Sequence, residues 1–113
     1  MRATVNTWNG LRAAARSDAA IREELVAIAL AIPLAFFVTS DNWKRALLVA
    51  VVLLILAVEL LNTGLEKLAD VVSKGHHPGI GIVKDMGSAA VAVAILIAAL
   101  VWLVAVAERF GLW

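Results

Sequence analysis

Glu59, Asn62, Glu66 and Asp70 put a proton acceptor and hard oxygen ligands along one side of a segment that otherwise reads as a membrane helix. At 100° per residue, positions 66 and 70 fall within about 20° of position 59, and Asn62 stands about 60° to the side. The uninterrupted apolar stretch before the stripe, Ala46 to Val58, covers only about 20 Å of helix, whereas a hydrocarbon core is about 30 Å thick. A spanning helix that starts near Ala46 must therefore continue to about Leu65, and it carries Glu59 and Asn62 into the bilayer or to its edge. A carboxylate there costs up to about 3 kcal/mol near the centre and less towards the interface, so such an acid is normally functional or paired.

The chemistry this set can support is metal-assisted phosphoryl transfer. Mg²⁺ takes one or two carboxylates together with phosphate oxygens. A base must face the attacking hydroxyl, and a cation must meet the phosphate charge. Glu66 with Asp18 can supply the first, Glu59 the second and Lys84 the third. The same residues also have plainer readings. Glu59 can be a polar contact between packed chains, Asn62 an interhelical hydrogen bond and Glu66 an exposed helix end. Asp18 can cap a helix or pair with Arg22, and Asp85 can cap the third span.

Elements that could position these residues follow from the hydrophobic pattern. Of 113 residues 63% are hydrophobic, above the half or so of a soluble domain, so the chain reads as an all-α membrane protein. Transmembrane helices are expected over 24–40, 44–65 and 86–107, the last without a single charge. Residues 4–22 read as an amphipathic interfacial helix with Trp8, Leu11, Ala15 and Ala19 on one face and Arg12 and Arg16 along its edge. Residues 66–85 form a cytoplasmic helix end and loop, Gly- and Pro-rich over 73–82. Ala90, Ala94 and Ala98 make a small-residue ridge suited to close packing. Three spans without a soluble domain leave little room for an enclosed site in one chain, so self-association is expected.

Arg2, Arg12, Arg16, Arg22, Lys67, Lys74 and Lys84 lie on one side of such a topology, and Lys44, Arg45 and Arg109 on the other. The positive-inside rule then puts the N-terminus and the 66–85 segment in the cytoplasm. Asp18, Glu23, Glu24, Glu59, Glu66, Asp70 and Asp85 converge on that same face, leaving only Asp41 and Glu108 opposite. The net charge of +1 offers no basic stripe for nucleic acid. Without cysteine, disulfides, thiolate metal sites and thiol nucleophiles are excluded. No signal peptide is expected, because no apolar core precedes Arg12. Gly79-Ile-Gly81-Ile-Val-Lys84 is not a dinucleotide turn, and the phosphate loop of soluble kinases is missing.

The run Val58-Glu59-Leu60-Leu61-Asn62-Thr63-Gly64-Leu65-Glu66, followed by Asp70, His77 and Lys84-Asp85-Met86-Gly87-Ser88-Ala89-Ala90-Val91, closely resembles the bacterial diacylglycerol kinase family. So do Trp8-Asn9-Gly10-Leu11-Arg12-Ala13-Ala14 and Ala19-Ala20-Ile21-Arg22-Glu23-Glu24. The resemblance spans nearly the whole chain. It implies a homotrimeric three-span kinase of the bacterial inner membrane, with its N-terminus cytoplasmic, which moves the γ-phosphate of ATP onto a lipid hydroxyl with Mg²⁺ as cofactor. It further implies Glu59 as general base, Asp18 and Glu66 as metal ligands, and Asn62 and Asp70 in support. Asn6, Asp18, Glu66, Gly75, His76, His77, Lys84 and Asp85 would meet the nucleotide. Trp8, Arg12, Arg22, Glu24, Arg45, Glu59 and Ser88 would line the side of the lipid, diacylglycerol. At position 18 the family usually has Glu. Aspartate is one methylene shorter, which leaves coordination either direct or through water. Two alternatives stand beside this one: an undecaprenol kinase with the same site, and a non-enzymatic membrane assembly or small transporter in which Glu59 binds protons or cations.

Overall fold

Asp18 divides the helix expected over 4–22. In the computed structural model, which describes residues 2–73, 75 and 77–113, α1 (Arg2–Ser17) ends just before it and α2 (Ala19–Val38) begins just after. Its backbone is extended (φ −133°, ψ 115°), and its Oδ1 accepts the Ala20 amide at 2.8 Å. That contact satisfies one of the donors a helix start leaves free. Asp41 repeats the device at 2.9 Å from the Trp43 amide and opens α3 (Asn42–Val72). His77 caps α4 (Pro78–Arg109), its Nδ1 accepting the Gly79 amide at 3.1 Å. Pro78 takes the first helical position, where a missing N–H costs nothing. The loop expected over 73–82 thus narrows to 73–77. Asp85, read as a cap of the third span, instead sits about two turns inside α4. His76 lies outside the described residues.

α3 is the central helix. It packs along both α2 and α4, while α2 and α4 barely meet and α1 rests lightly on α2 and α3. One apolar cluster joins Ala31, Val51, Val52 and Ala98, and a second joins Ala35, Val38 and Leu48. Trp102 packs against both, and its indole N–H donates to the Leu48 carbonyl at 3.0 Å. The small buried positions of α4 are Gly87, Ala94 and Ala98. Ala90, expected on the same ridge, is exposed where it lines an open cavity between α3 and α4. The far end of the bundle is tied by a Lys44–Glu108 ion pair between α3 and α4.

α3 and α4 are each long and apolar enough to cross a membrane. α2 falls short of that measure because Arg22, Glu23 and Glu24 occupy its first turns. The uncharged part, Leu25 to Val38, is about 21 Å long. By length and composition, two of the three expected spans meet the measure of a membrane-crossing helix.

Candidate active site

Thr63, one residue past Asn62 on α3, fastens the start of α2 to the polar stripe. Its hydroxyl donates to Asp18 Oδ2 at 2.7 Å. That bond holds the Asp18 carboxyl below the ordinary aspartate range, against a smaller opposing effect of burial and with help from the Ala20 and Ile21 amides and Arg22. Glu59, half-buried on α3, then feels the negative charge of Asp18, Glu23 and Glu66. Glu24 in turn feels the charge of Glu59. The Asn62 amide nitrogen donates to Glu66 Oε1 at 3.3 Å. Five expected site residues are thereby brought together from two helices: Asp18, Glu24, Glu59, Asn62 and Glu66.

The Thr63–Asp18 bond carries a pH signature. A carboxyl depressed in the folded state stabilises it above the unfolded-state value, and that stabilisation is lost as pH falls through the folded value. Thr63→Val is expected to return Asp18 towards its ordinary value and to weaken the α2–α3 junction at neutral pH. The difference from the parent should shrink below about pH 4, where unfolded aspartate is protonated. A carbon-detected NMR titration of Asp18 in detergent micelles checks the shift; an unchanged Asp18 curve would remove Thr63 as its cause.

Two acceptor oxygens at this end, Glu24 Oε1 and Asn62 Oδ1, are buried and meet no hydrogen-bond donor among the described residues. Asn62 also presses on α4. A Cβ placed on Gly87 would lie 2.1 Å from Asn62 Oδ1 and 3.3 Å from Leu65 Cδ2. A side chain at position 87 would have to displace the Asn62 amide. Beside this contact a cavity of about 370 Å³, lined by Val58, Leu61, Asn62, Leu65, Gly87 and Ala90, opens between α3 and α4.

Lys84 reaches back from α4 to Asp70 Oδ1 at 2.7 Å. The hydrogen bond to Asp70 holds its ammonium above the ordinary lysine range, with the charges of Asp70 and Glu66 adding to it and slight burial opposing. Asp85 and Ser88 are exposed on α4, and Gly75 is exposed in the connection. Asn6, Trp8 and Arg12 are exposed on α1, and Asn6 lines a groove of about 500 Å³ between α1 and α3. Arg22 folds back onto α1, donating to the carbonyls of Ala15 at 2.8 Å and Arg16 at 3.3 Å.

Arg45 is not part of this assembly. It lies near the opposite end of α3, about 21 Å along the helix from Glu59. There it donates to the Thr39 carbonyl at 2.8 Å and stacks 4.2 Å over the Phe36 ring. Thr63 and Gly87, by contrast, were not among the expected site residues although both lie inside the two motifs. Neither titrates, and the only signal for Thr63 is its place about 40° from Glu59 on the helical wheel.

Asp18 and Glu66, whose charges both reach Glu59, carry the hard carboxylate oxygens that Mg²⁺ prefers. Among the described residues no three His, Asp or Glu side chains gather as a protein-only metal cage. Mg²⁺ suits such a site because it keeps waters and takes phosphate oxygens. His77 spends its Nδ1 on the α4 cap.

Comparison with known proteins adds to this geometry. The profile of the family described as "Prokaryotic diacylglycerol kinase" matches residues 5–106. The chain is 41% identical over 105 residues to a diacylglycerol kinase of Escherichia coli strain K12, covering 93% of this chain and 86% of the relative. A diacylglycerol kinase of Pseudomonas aeruginosa is 41% identical over 102 residues, covering 90% and 83%. One from Haemophilus influenzae is 35% identical over 99 residues, covering 88% and 84%.

Proposed function

The chain belongs to the prokaryotic diacylglycerol kinase family, and from that premise we propose that it transfers the γ-phosphate of ATP to the hydroxyl of diacylglycerol in a bacterial cytoplasmic membrane. The observation that carries this reading is Glu59, half-buried on the central helix and set among Asp18, Glu23 and Glu66 at the end of the apolar segment. A lipid hydroxyl at the cytoplasmic interface reaches this depth from the side, and ATP reaches it from the water.

Glu59 accepts the hydroxyl proton as the oxygen attacks the γ-phosphorus in line, and ADP departs. Glu24, which feels the charge of Glu59, serves the lipid beside it. Asn62 holds Glu66 in place, and Thr63 does the same for Asp18. Mg²⁺ held by Asp18 and Glu66 would supply charge neutralisation at the phosphates. Lys84 and Asp85, with Asn6, Gly75, His76 and His77, serve the nucleotide; Trp8, Arg12, Arg22 and Ser88 serve the lipid. Much of the rate enhancement is positioning and preorganised charge.

In this reading α2 is the third span, its charged first turns lying at the cytoplasmic face with Glu59. The chain assembles as a homotrimer in this reading, as the resemblance of its motifs to the family implies. The test offers purified protein MgATP with diacylglycerol and undecaprenol side by side and identifies the lipid product by mass spectrometry. Phosphatidate is expected. Undecaprenyl phosphate alone would reassign the acceptor, and no phosphorylated lipid would remove the kinase reading.

A further inference from the structure

Lys67 is a cation at the carboxylate-rich end that neutralises no acid. Among the described residues the ion pairs are Lys44–Glu108 and Lys84–Asp70. Asp70, three residues on and within helical reach of Lys67, is taken by Lys84 from α4. The exposed Lys67 ammonium instead donates to Ser17 Oγ at 3.0 Å, across to the end of α1. One hydroxyl partner leaves two of its three donors for other acceptors.

Its position gives those donors a use. Lys67 lines the groove of about 500 Å³ between α1 and α3, together with Asn6, Thr7, Leu56, Leu60 and Thr63. Thr63, one turn before Lys67, is the residue whose hydroxyl grips Asp18. A polyanion that enters beside Glu59, Glu66 and Asp18 must be met by positive charge. Lys84 is engaged by Asp70, and Arg22 by the carbonyls of α1. Among the described residues that line this groove, Lys67 is the one charged side chain.

We propose that Lys67 is a phosphate-contacting residue, its ammonium binding a phosphate oxygen at the mouth of the α1–α3 groove, on the nucleotide or on the phospholipid product. This rests on the kinase reading for its ligand and on the groove for its geometry.

The full-length protein in mixed micelles is compared with Lys67→Gln, Lys67→Arg and Ser17→Ala. Lys67→Gln is expected to raise the KM for MgATP by roughly three- to tenfold if the phosphate is the nucleotide's, or to weaken inhibition by phosphatidate by a similar factor if it is the product's, as suits an exposed charge-assisted hydrogen bond. The KM for diacylglycerol and the melting temperature should hold, Lys67→Arg should retain most of the effect of lysine, and Ser17→Ala should leave both phosphate readouts unchanged. No change in either readout for Lys67→Gln overturns the proposal. So does an equal change in Ser17→Ala, since Lys67 would then act only as a strut. Direct MgADP binding separates the two readings. A parent protein inactive on diacylglycerol yet binding MgADP through Lys67 sinks the kinase and keeps the contact.

Discussion

Glu59→Gln is expected to lower phosphate transfer to diacylglycerol by about 10²- to 10⁴-fold, the usual contribution of a positioned general base. Glutamine keeps the shape and the polar tip but cannot take a proton. The folded protein should not suffer. Glu59 sits among Asp18, Glu23 and Glu66, all of the same sign, so removing its charge relieves repulsion. The melting temperature in micelles should therefore stay level or rise. That pairing of lost turnover with kept stability separates a base from a structural contact, whose loss would lower both. A Glu59→Gln protein that turns over normally would move the base elsewhere.

Gly87→Val is the second large effect, and it works through packing. The first added carbon would stand 2.1 Å from Asn62 Oδ1, with Leu65 Cδ2 at 3.3 Å behind it. Asn62 has two torsions with which to evade, and leaving breaks its bond to Glu66. Valine gains little over glycine in helix propensity, so overpacking dominates, at about 1–3 kcal/mol of stability. Activity should fall at least tenfold, because the α3–α4 contact that sets Lys84 against Asp70 and Glu66 must shift; a displacement of about 1 Å at a site can cost about a hundredfold. The check is a suppressor. Asn62→Ala in the Gly87→Val background should restore the melting temperature while leaving turnover low. A Gly87→Val protein as stable as its parent would show that Asn62 is not what glycine accommodates.

The polar stripe and its helix could be read from residue types alone, because Glu59, Asn62, Glu66 and Asp70 interrupt an apolar run at helical spacing. The break at Asp18 was harder. Alanines continue on both sides of it, from Ala13 to Ala20, and the boundary depends on one side chain capturing the Ala20 amide. Asp18 was open as a cap or as a ligand; its Oδ1 caps α2 and its Oδ2 meets Thr63. α4 begins eight residues before the expected span because His77 caps it, and histidine is not among the residues that usually cap. Gly87 needed Asn62 from another helix to acquire meaning, which no local pattern records. Arg45, which the resemblance places beside the lipid, stands near the start of α3, about 21 Å along the helix from Glu59.

The central claim is that the acids at the end of α3 serve phosphate transfer rather than ion movement. Sealed proteoliposomes containing the protein and diacylglycerol, given ATP labelled at the γ-phosphorus, test it with and without an uncoupler. The account predicts label in phosphatidate, matched by ADP, at the same rate whether or not a proton gradient exists. Ion flux that depends on the gradient, with ATP left intact, would contradict it.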